Sequence, residues 1–347
     1  MKRTALYEEH KKLKARIVDY AGWDMPVQYT GIIHEHKAVR ESVGVFDVSH
    51  MCIADISGDD YSKFLQLVTI NDVDKLAEYQ AQYSMILDEE GNVLDDIIVS
   101  KMDSFMRVVI NSGNEEKIKN WFALIIKKNS FNVNILYRDD LSIIAVQGPK
   151  SIGVLEKIFN TTIELKSFRL TEFNWKGNLI DVSRTGYTGE LGFEVFVDNE
   201  LAASLWQAIL DEGAIPAGLG ARDTLRIEAG LPLYGQEIVE NITAYDMGYG
   251  WVVKLLKGDF IGKDTLEKAN KKKRLFGCFL NEKGVLRGGY EVVGHGKLTS
   301  GTYSPVFNAA IGMFYSNNEL KENDQLNVII RGKEVSARVI ELPFIKR

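Results

Sequence analysis

Residues 94–99 have the sequence Leu94-Asp95-Asp96-Ile97-Ile98-Val99, an apolar run that carries two adjacent aspartates. Strand-like residues 83–87 precede it, and the segment 88–92 between the two is rich in turn-forming residues. The hairpin that this pattern predicts continues into a third strand at 105–111 and a helix at 114–127. Strands joined in this way favour an antiparallel sheet, so the region is predicted to be an α+β module.

The two aspartates are expected on opposite faces of the predicted strand, because side chains alternate along a strand. Asp95 shares its face with Ile97, and Asp96 shares the other face with Ile98. Each carboxylate therefore has apolar neighbours, and the burial of an unpaired charge is costly. A catalytic or binding role and a structural ion pair both explain the arrangement, and the pattern alone leaves both open.

Short elements follow one another through the rest of the chain. Before residue 265 the pattern predicts helices and turns in the first segment, with helices at 32–43, 59–68, 202–210 and 222–229, a tight turn at 43–50, strands at 52–56 and 142–146, and a hairpin at 179–197. Beyond residue 275, short strands dominate, at 275–280, 298–303, 309–315, 326–330 and 335–340. We expect a domain boundary near 265–275, followed by a small β barrel or jelly roll.

Composition excludes several classes of protein. The chain has 347 residues, of which 45% are hydrophobic and 26% charged, which suits two or three globular domains. No apolar run is long enough for a membrane span, and the first residues lack the apolar core of a secretory signal. The formal charge of −6 does not favour a nucleic-acid partner. The basic run at 271–274 is interpreted as a solvated helix end or linker.

Metal and disulfide chemistry are not expected. The two cysteines, Cys52 and Cys278, are far apart in strand-like stretches and are predicted to be buried free thiols. His34 and His36 do not form a zinc-binding pattern and are predicted to lie on a solvated helix face.

Two further segments have more than one interpretation. The glycine-rich segment 183–194 predicts a tight hairpin turn, and its glycines also permit a close approach of ligand. Arg222 falls in the first turn of a predicted helix, where a cation opposes the helix dipole. It therefore either faces an acid or a ligand, or pairs with Asp223 or Glu228 in the ordinary way.

Several stretches together resemble the aminomethyltransferase family, the T-proteins of the glycine cleavage system. In chain order they are VDYAGWDMPVQY (18–29), GVFDVSHM (44–51), LDDIIV (94–99), IAVQGP (144–149), RTGYTGE (184–190), GLGARDTLRIE (218–228), LYGQE (233–237) and TSGTYSP (299–305). The resemblance implies an α+β fold of three domains, arranged as a cloverleaf around a central folate channel. The implied domains are a discontinuous folate-binding α+β domain (1–50 with 141–265), an inserted α+β domain that carries the acidic strand (51–140), and a C-terminal β barrel (270–347).

The resemblance also implies a reaction and its site. Family members transfer the one-carbon unit of an aminomethyl group, carried on the lipoyl arm of the H-protein, to tetrahydrofolate, and they release ammonia and 5,10-methylenetetrahydrofolate. Asp96 matches the catalytic acid of the family. Glu194 matches the family glutamate that holds the pterin. Further positions along the folate site are matched by Arg222, Tyr187, Asn111, Tyr83 and Met51.

Related families are alternatives. A folate-dependent demethylase shares the fold, as do non-enzymatic folate-binding proteins linked to iron–sulfur assembly and tRNA modification. The latter carry a lysine and a cysteine that residues 231–237 lack here. We also expect a cytoplasmic protein without a metal, and a monomer as the simplest oligomeric state. Whether Arg347 replaces the contact that some members make with the folate tail stays open.

Overall fold

The computed structural model describes residues 1–269 and 273–346. Lys271 and Lys272 of the predicted basic linker, and Arg347, lie outside the described residues. The described helices are α1 (Tyr7–Lys12), α2 (Ile32–Glu41), α3 (Tyr61–Val68), α4 (Glu115–Asn129), α5 (Ser151–Phe159), α6 (Asn199–Asp211), α7 (Leu219–Glu228) and α8 (Lys263–Lys268), with 3-10 turns at Val73–Lys75, Ser112–Asn114, Gly250–Val252 and Leu255–Lys257.

The described strands fall into a two-stranded hairpin, two larger sheets and a closed barrel. In chain order they are β1 (Arg16–Tyr20), β2 (Trp23–Gln28), β3 (Gly44–Asp47), β4 (Cys52–Ser57), β5 (Gln80–Leu87), β6 (Val93–Lys101), β7 (Met106–Ile110), β8 (Asn134–Tyr137), β9 (Leu141–Gln147), β10 (Leu170–Trp175), β11 (Asn178–Ser183), β12 (Gly192–Asp198), β13 (Ile215–Pro216), β14 (Arg274–Leu280), β15 (Glu291–Val292), β16 (Gly296–Ser304), β17 (Ala309–Ser316), β18 (Gln325–Ile330) and β19 (Lys333–Ile340).

The acidic strand lies inside a five-stranded antiparallel sheet of order β5-β6-β7-β4-β8. One face of this sheet packs against α3 and α4, whose Phe64 and Phe122 are fully buried in its core. Ile97 and Val99 of β6 point into that same core, so the alternate positions of β6 point away from it. The predicted hairpin and antiparallel module are confirmed.

The six-stranded sheet has the order β10-β11-β12-β9-β3-β13 and combines β3, from near the start of the chain, with strands from residues 141–216. Its two faces are both covered. Val195 of β12 points into the core that contains Trp206 of α6, whereas Phe196 points into the core that contains Leu225 of α7. Helix α7 is thus held between this sheet and the rest of the chain.

The C-terminal strands close into a barrel of order β14-β17-β16-β15-β18-β19. Its interior is filled by apolar side chains, among them Phe276, Phe314 and Val328. The predicted α+β fold with a C-terminal β barrel is confirmed, and the barrel gains a short strand, β15, that the sequence pattern did not indicate.

Two predictions for the first segment are wrong. Residues 16–28 form the β1–β2 hairpin rather than helices and turns, and its turn uses positive φ angles at Ala21 and Gly22. Alanine rarely adopts that conformation, so the turn is not evident from sequence. Residues 44–47, predicted to be a tight turn, form β3, which lies fully buried between β9 and β13. A strand covered on both faces loses the alternation by which strands are recognised.

His36 also contradicts its predicted exposure, whereas His34 is exposed as expected. The His36 ring is fully buried, with Nδ1 2.7 Å from Thr224 Oγ1 and Nε2 3.0 Å from Glu228 Oε2, both on α7. Both cysteines are buried free thiols, as predicted. Among the described residues, no helix is long and apolar enough to cross a membrane, and no three His, Cys, Asp or Glu side chains are grouped so as to hold a metal ion.

Candidate active site

A cavity of about 290 Å³ lies where the two larger sheets meet the irregular segment 231–251. Its wall is mostly apolar, with a few polar groups. All seven residues that the family resemblance assigned to the site line this one cavity: Met51, Tyr83, Asp96, Asn111, Tyr187, Glu194 and Arg222. The fold therefore brings together side chains that are up to 171 positions apart in sequence, the interval from 51 to 222.

The two aspartates of β6 have different surroundings. Asp95 points into the protein and is fully buried, where it accepts hydrogen bonds from the Asn111 backbone N–H (3.0 Å), from Asn111 Nδ2 (2.9 Å) and from Asn114 Nδ2 (2.5 Å). Asp96 lines the cavity and accepts hydrogen bonds from Tyr83 Oη (3.2 Å) and Asn111 Nδ2 (2.9 Å). Asn111 bridges the two carboxylates and fixes both.

Burial raises the pKa of the Asp96 carboxyl to above the usual aspartate range, although hydrogen bonds from Tyr83 and Asn111 limit the increase. Burial also raises the pKa of Asp95, and the neighbouring charge on Asp96 raises it further. Both carboxyl groups therefore keep their protons to a higher pH than an exposed aspartate does. Asp96 is the member of the pair whose carboxyl group faces the cavity.

Glu194 lies on β12, where it faces the cavity beside the loop that joins β11 to β12. Thr185 Oγ1 donates a hydrogen bond of 2.5 Å to Glu194 Oε2. Glu194 Oε1 has no hydrogen-bond partner in the part of the chain that the structure describes. The carboxylate is oriented by one partner and can accept two parallel donors from a planar ligand.

Arg222 is positioned by the start of helix α7. The buried Glu35 of α2 accepts a hydrogen bond from the Gly218 N–H at 2.9 Å. A Cβ on Gly218 would come within 2.4 Å of the Val27 backbone, so the helix can begin this close to β2 only with glycine there. The Arg222 guanidinium lies 4.7 Å from the centre of the Tyr187 ring, a cation–π contact.

The sequence left open whether Arg222 is paired with a neighbouring acid. Within residues 1–269 and 273–346, no carboxylate lies within ion-pair distance of Arg222, whereas Arg226 pairs with Asp223 at 2.8 Å and with Glu237 at 2.7 Å. The guanidinium charge of Arg222 is therefore available to a ligand in the cavity. The charge of Arg226 is instead neutralised by its two acidic partners.

Tyr20, His50, Tyr249 and Trp251 are among the wall residues that were not predicted as site residues. Tyr249 stands 5.4 Å from the Tyr83 ring and 6.0 Å from Trp251, whose side chain is 60% exposed at the cavity mouth. Burial, and then the charge of Arg222, lowers the pKa of His50 to about 4, so its imidazole is neutral near pH 7. Tyr249 and Trp251 could not be predicted because they lie in an irregular segment that has no periodicity. The motif GVFDVSHM contains His50, but nothing in that motif indicates the role of this residue.

The cavity combines aromatic walls, a carboxylate that can accept paired donors, an unpaired cation, and an acid that ionises in poorly solvated surroundings. Such a site suits a planar heterocyclic ligand with an anionic substituent. It also stabilises positive charge that develops beside Asp96, because a fixed charge acts strongly where water is excluded.

Comparisons with known proteins agree with this arrangement. Residues 6–257 match the family described as the GCVT N-terminal domain, and residues 273–346 match the glycine cleavage T-protein C-terminal barrel domain. Curated aminomethyltransferases from Chloroherpeton thalassium and a Geobacillus species are 40% and 42% identical, over 100% of this chain and 99% of theirs. The glycine cleavage system aminomethyltransferase T from Bartonella henselae superposes with a TM-score of 0.92 at 29% identity, covering 99% of this chain and 98% of its own.

The fold and the matched profiles define a protein of the glycine cleavage T-protein class. More particularly, the chain belongs to the aminomethyltransferase family, over its full length. The family predicted from the sequence motifs is confirmed.

Proposed function

We propose that this chain binds tetrahydrofolate in the cavity beside Asp96 and transfers to it the one-carbon unit of an aminomethyl group on the lipoyl arm of the H-protein. The thioether-linked CH₂–NH₃⁺ loses ammonia, the methylene carbon forms bonds to N5 and N10 of the folate, and the sulfur leaves as a thiol. The two protons lost from N5 and N10 end on the ammonia and on the sulfur. The position of Asp96 in the cavity supports this proposal most directly.

Asp96 acts as a fixed anion near the reacting nitrogens. As N5 attacks and ammonia leaves, positive charge develops on the methylene carbon, and a carboxylate held by Tyr83 and Asn111 stabilises it without having to reorganise. Asp95 acts indirectly, because the two hydrogen bonds that it accepts from Asn111 hold that residue in place. The remaining contribution is the orientation of two large reactants.

Glu194 and Arg222 would hold the ends of the folate. The pterin 2-amino group and N3–H form a pair of donors that suits the Glu194 carboxylate. Arg222 is available to an anionic substituent of the ligand because it lacks an acidic partner among the described residues. Tyr83, Tyr187 and Met51 line the wall between these groups.

The domain division expected from the family is also a proposal. It assigns residues 1–50 with 141–265 to the folate-binding domain, 51–140 to the inserted domain and 270–347 to the barrel. Support comes from the sheets, since β4 to β8 pair among themselves, as do β14 to β19. The cytoplasmic location, the absence of a metal, the monomeric state and the H-protein as partner stay predictions.

A reconstituted assay tests this function. The protein is mixed with aminomethyl-loaded H-protein and tetrahydrofolate, and 5,10-methylenetetrahydrofolate and ammonia are measured together. We expect both products in equal amounts, and only when all three components are present. Release of ammonia without methylenetetrahydrofolate, or formation of neither product while folate is bound, would contradict the proposal.

A further inference from the structure

A second cavity, of about 410 Å³, lies next to the candidate active site. It is bounded by the β1–β2 hairpin, by the first turns of α7, and by the barrel at the 281–290 loop and β16. Arg222 and Tyr187 line both cavities. A ligand that extends from the first cavity as far as Arg222 therefore reaches the edge of the second cavity.

Positive charge predominates in the second cavity. Three arginines line it, Arg222, Arg226 and Arg287, and Asp223 is the acidic residue among its described lining. Arg226 is neutralised by Glu237 and Asp223. In the described part of the chain, neither Arg222 nor Arg287 has a carboxylate within ion-pair distance, so the cavity presents two guanidinium groups to a ligand.

The loop that carries Arg287 is held closely against the barrel. Leu286 is fully buried in the barrel core, and the Gly289 N–H donates a 2.8 Å hydrogen bond to Leu298 O of β16. A Cβ on Gly301 would come within 2.7 Å of the Arg287 backbone nitrogen, so β16 and the loop are in close contact there. The backbone at Arg287 is thus fixed, while its side chain is exposed beside the cavity.

We propose that the second cavity binds the carboxylates of additional glutamyl residues in a folate that carries a poly-γ-glutamyl tail. This inference rests on the proposed function. Arg222 would bind the tail where it leaves the first cavity, and Arg287 would bind a carboxylate further out. Guanidinium groups suit carboxylates because they offer several donors in one plane. The same two charges disfavour the cationic aminomethyl group as the occupant of this cavity.

The test compares dissociation constants for tetrahydrofolate monoglutamate and pentaglutamate, measured anaerobically by calorimetry. Three full-length proteins are used: the parent, Arg287→Gln, and Lys283→Gln as the matched control. Lys283 is exposed in the same loop but does not line the cavity. In the parent we expect the pentaglutamate to bind about two- to five-fold more tightly, the size of a partly exposed ion pair. Arg287→Gln should lose most of this ratio, and Lys283→Gln should keep it.

The ratio should also decrease as salt is added, because exposed charges are screened. Equal affinity of the parent for the two folates, with normal monoglutamate binding, would overturn the inference and leave the proposed function intact. An undiminished ratio in Arg287→Gln would overturn it as well. Failure of the monoglutamate itself to bind would instead contradict the proposed function.

Discussion

The Tyr83 hydroxyl lies 3.2 Å from Asp96 Oδ2 and donates a hydrogen bond to it. The contact follows from strand register. Tyr83 pairs with Ile98 and Met85 pairs with Asp96, so Tyr83 and Asp96 are diagonal neighbours on one face of the sheet. Burial raises the pKa of Tyr83 well above its usual value, which keeps the hydroxyl protonated and able to donate.

Tyr83→Phe should move the acid limb of the pH profile to higher pH. The hydrogen bond from Tyr83 lowers the pKa of Asp96, so its removal raises that pKa. If catalysis needs ionised Asp96, activity is lost as pH falls through this pKa, and in the variant the loss begins at higher pH. The measurement is kcat/KM from about pH 5 to about pH 9.

Tyr249→Phe is the control for this experiment. Tyr249 lines the same cavity and lies against the Tyr83 ring, but the structure gives it no hydrogen bond to Asp96. Its acid limb should stay where the parent has it. An unmoved limb in Tyr83→Phe would show that the ionisation of Asp96 does not govern the profile.

Glu194→Gln should weaken the binding of tetrahydrofolate. The amide would turn an NH₂ group towards one of the ligand donors and leave part of the pterin edge unpaired, at a cost of about 1–3 kcal/mol. Titration calorimetry measures the change, with Glu172→Gln, an exposed glutamate of β10 in the same sheet, as the control. Equal affinity in the parent and Glu194→Gln would remove Glu194 from the folate site.

Glu228→Gln should destabilise the fold strongly. Glu228 is fully buried, and Arg40 donates to its Oε2 from Nε (2.9 Å) and from Nη2 (2.8 Å). Burial opposes ionisation of Glu228, yet His36, Ser304 and Arg40 outweigh it and lower the pKa of this carboxyl. Loss of the charge leaves Arg40 with a weaker buried partner, so we expect a decrease of about 3–5 kcal/mol in the free energy of unfolding.

Urea unfolding followed by circular dichroism measures this decrease. The control is Glu89→Gln, which breaks the Glu89–Lys128 pair, with both side chains about 60% exposed. That change should cost less than about 1 kcal/mol. Similar costs for the two substitutions would mean that the buried ion pair contributes no more than an exposed one.

The sequence was informative where a pattern was local. Residues 83–101 could be predicted as a hairpin because a turn-forming segment separates two strand-like runs, and alternation then placed Asp95 and Asp96 on opposite faces. Five of the six barrel strands could also be predicted, since turns punctuate them. The family motifs identified seven residues that line one cavity. The spacing of these residues along the chain could not by itself show that they lie close together.

Long-range partners could not be predicted in this way. His36 looked like a surface histidine because its neighbours, Thr224 and Glu228, lie about 190 residues further along the chain. Tyr249 and Trp251 belong to an irregular segment whose course depends on contacts with the five-stranded sheet. The pKa of His50 depends on burial and on Arg222, neither of which is visible in the local sequence.

The central claim is that Asp96 stabilises the charge that develops during transfer to folate. The most direct measurement is the single-turnover rate of Asp96→Asn with loaded H-protein, together with its affinity for tetrahydrofolate. Asp103→Asn, an exposed aspartate just beyond the end of β6, is the control. We expect folate affinity within about two-fold of the parent and a rate about 10²–10³-fold lower, the size of a lost preorganised charge interaction. A parental rate in Asp96→Asn with folate bound would contradict the claim.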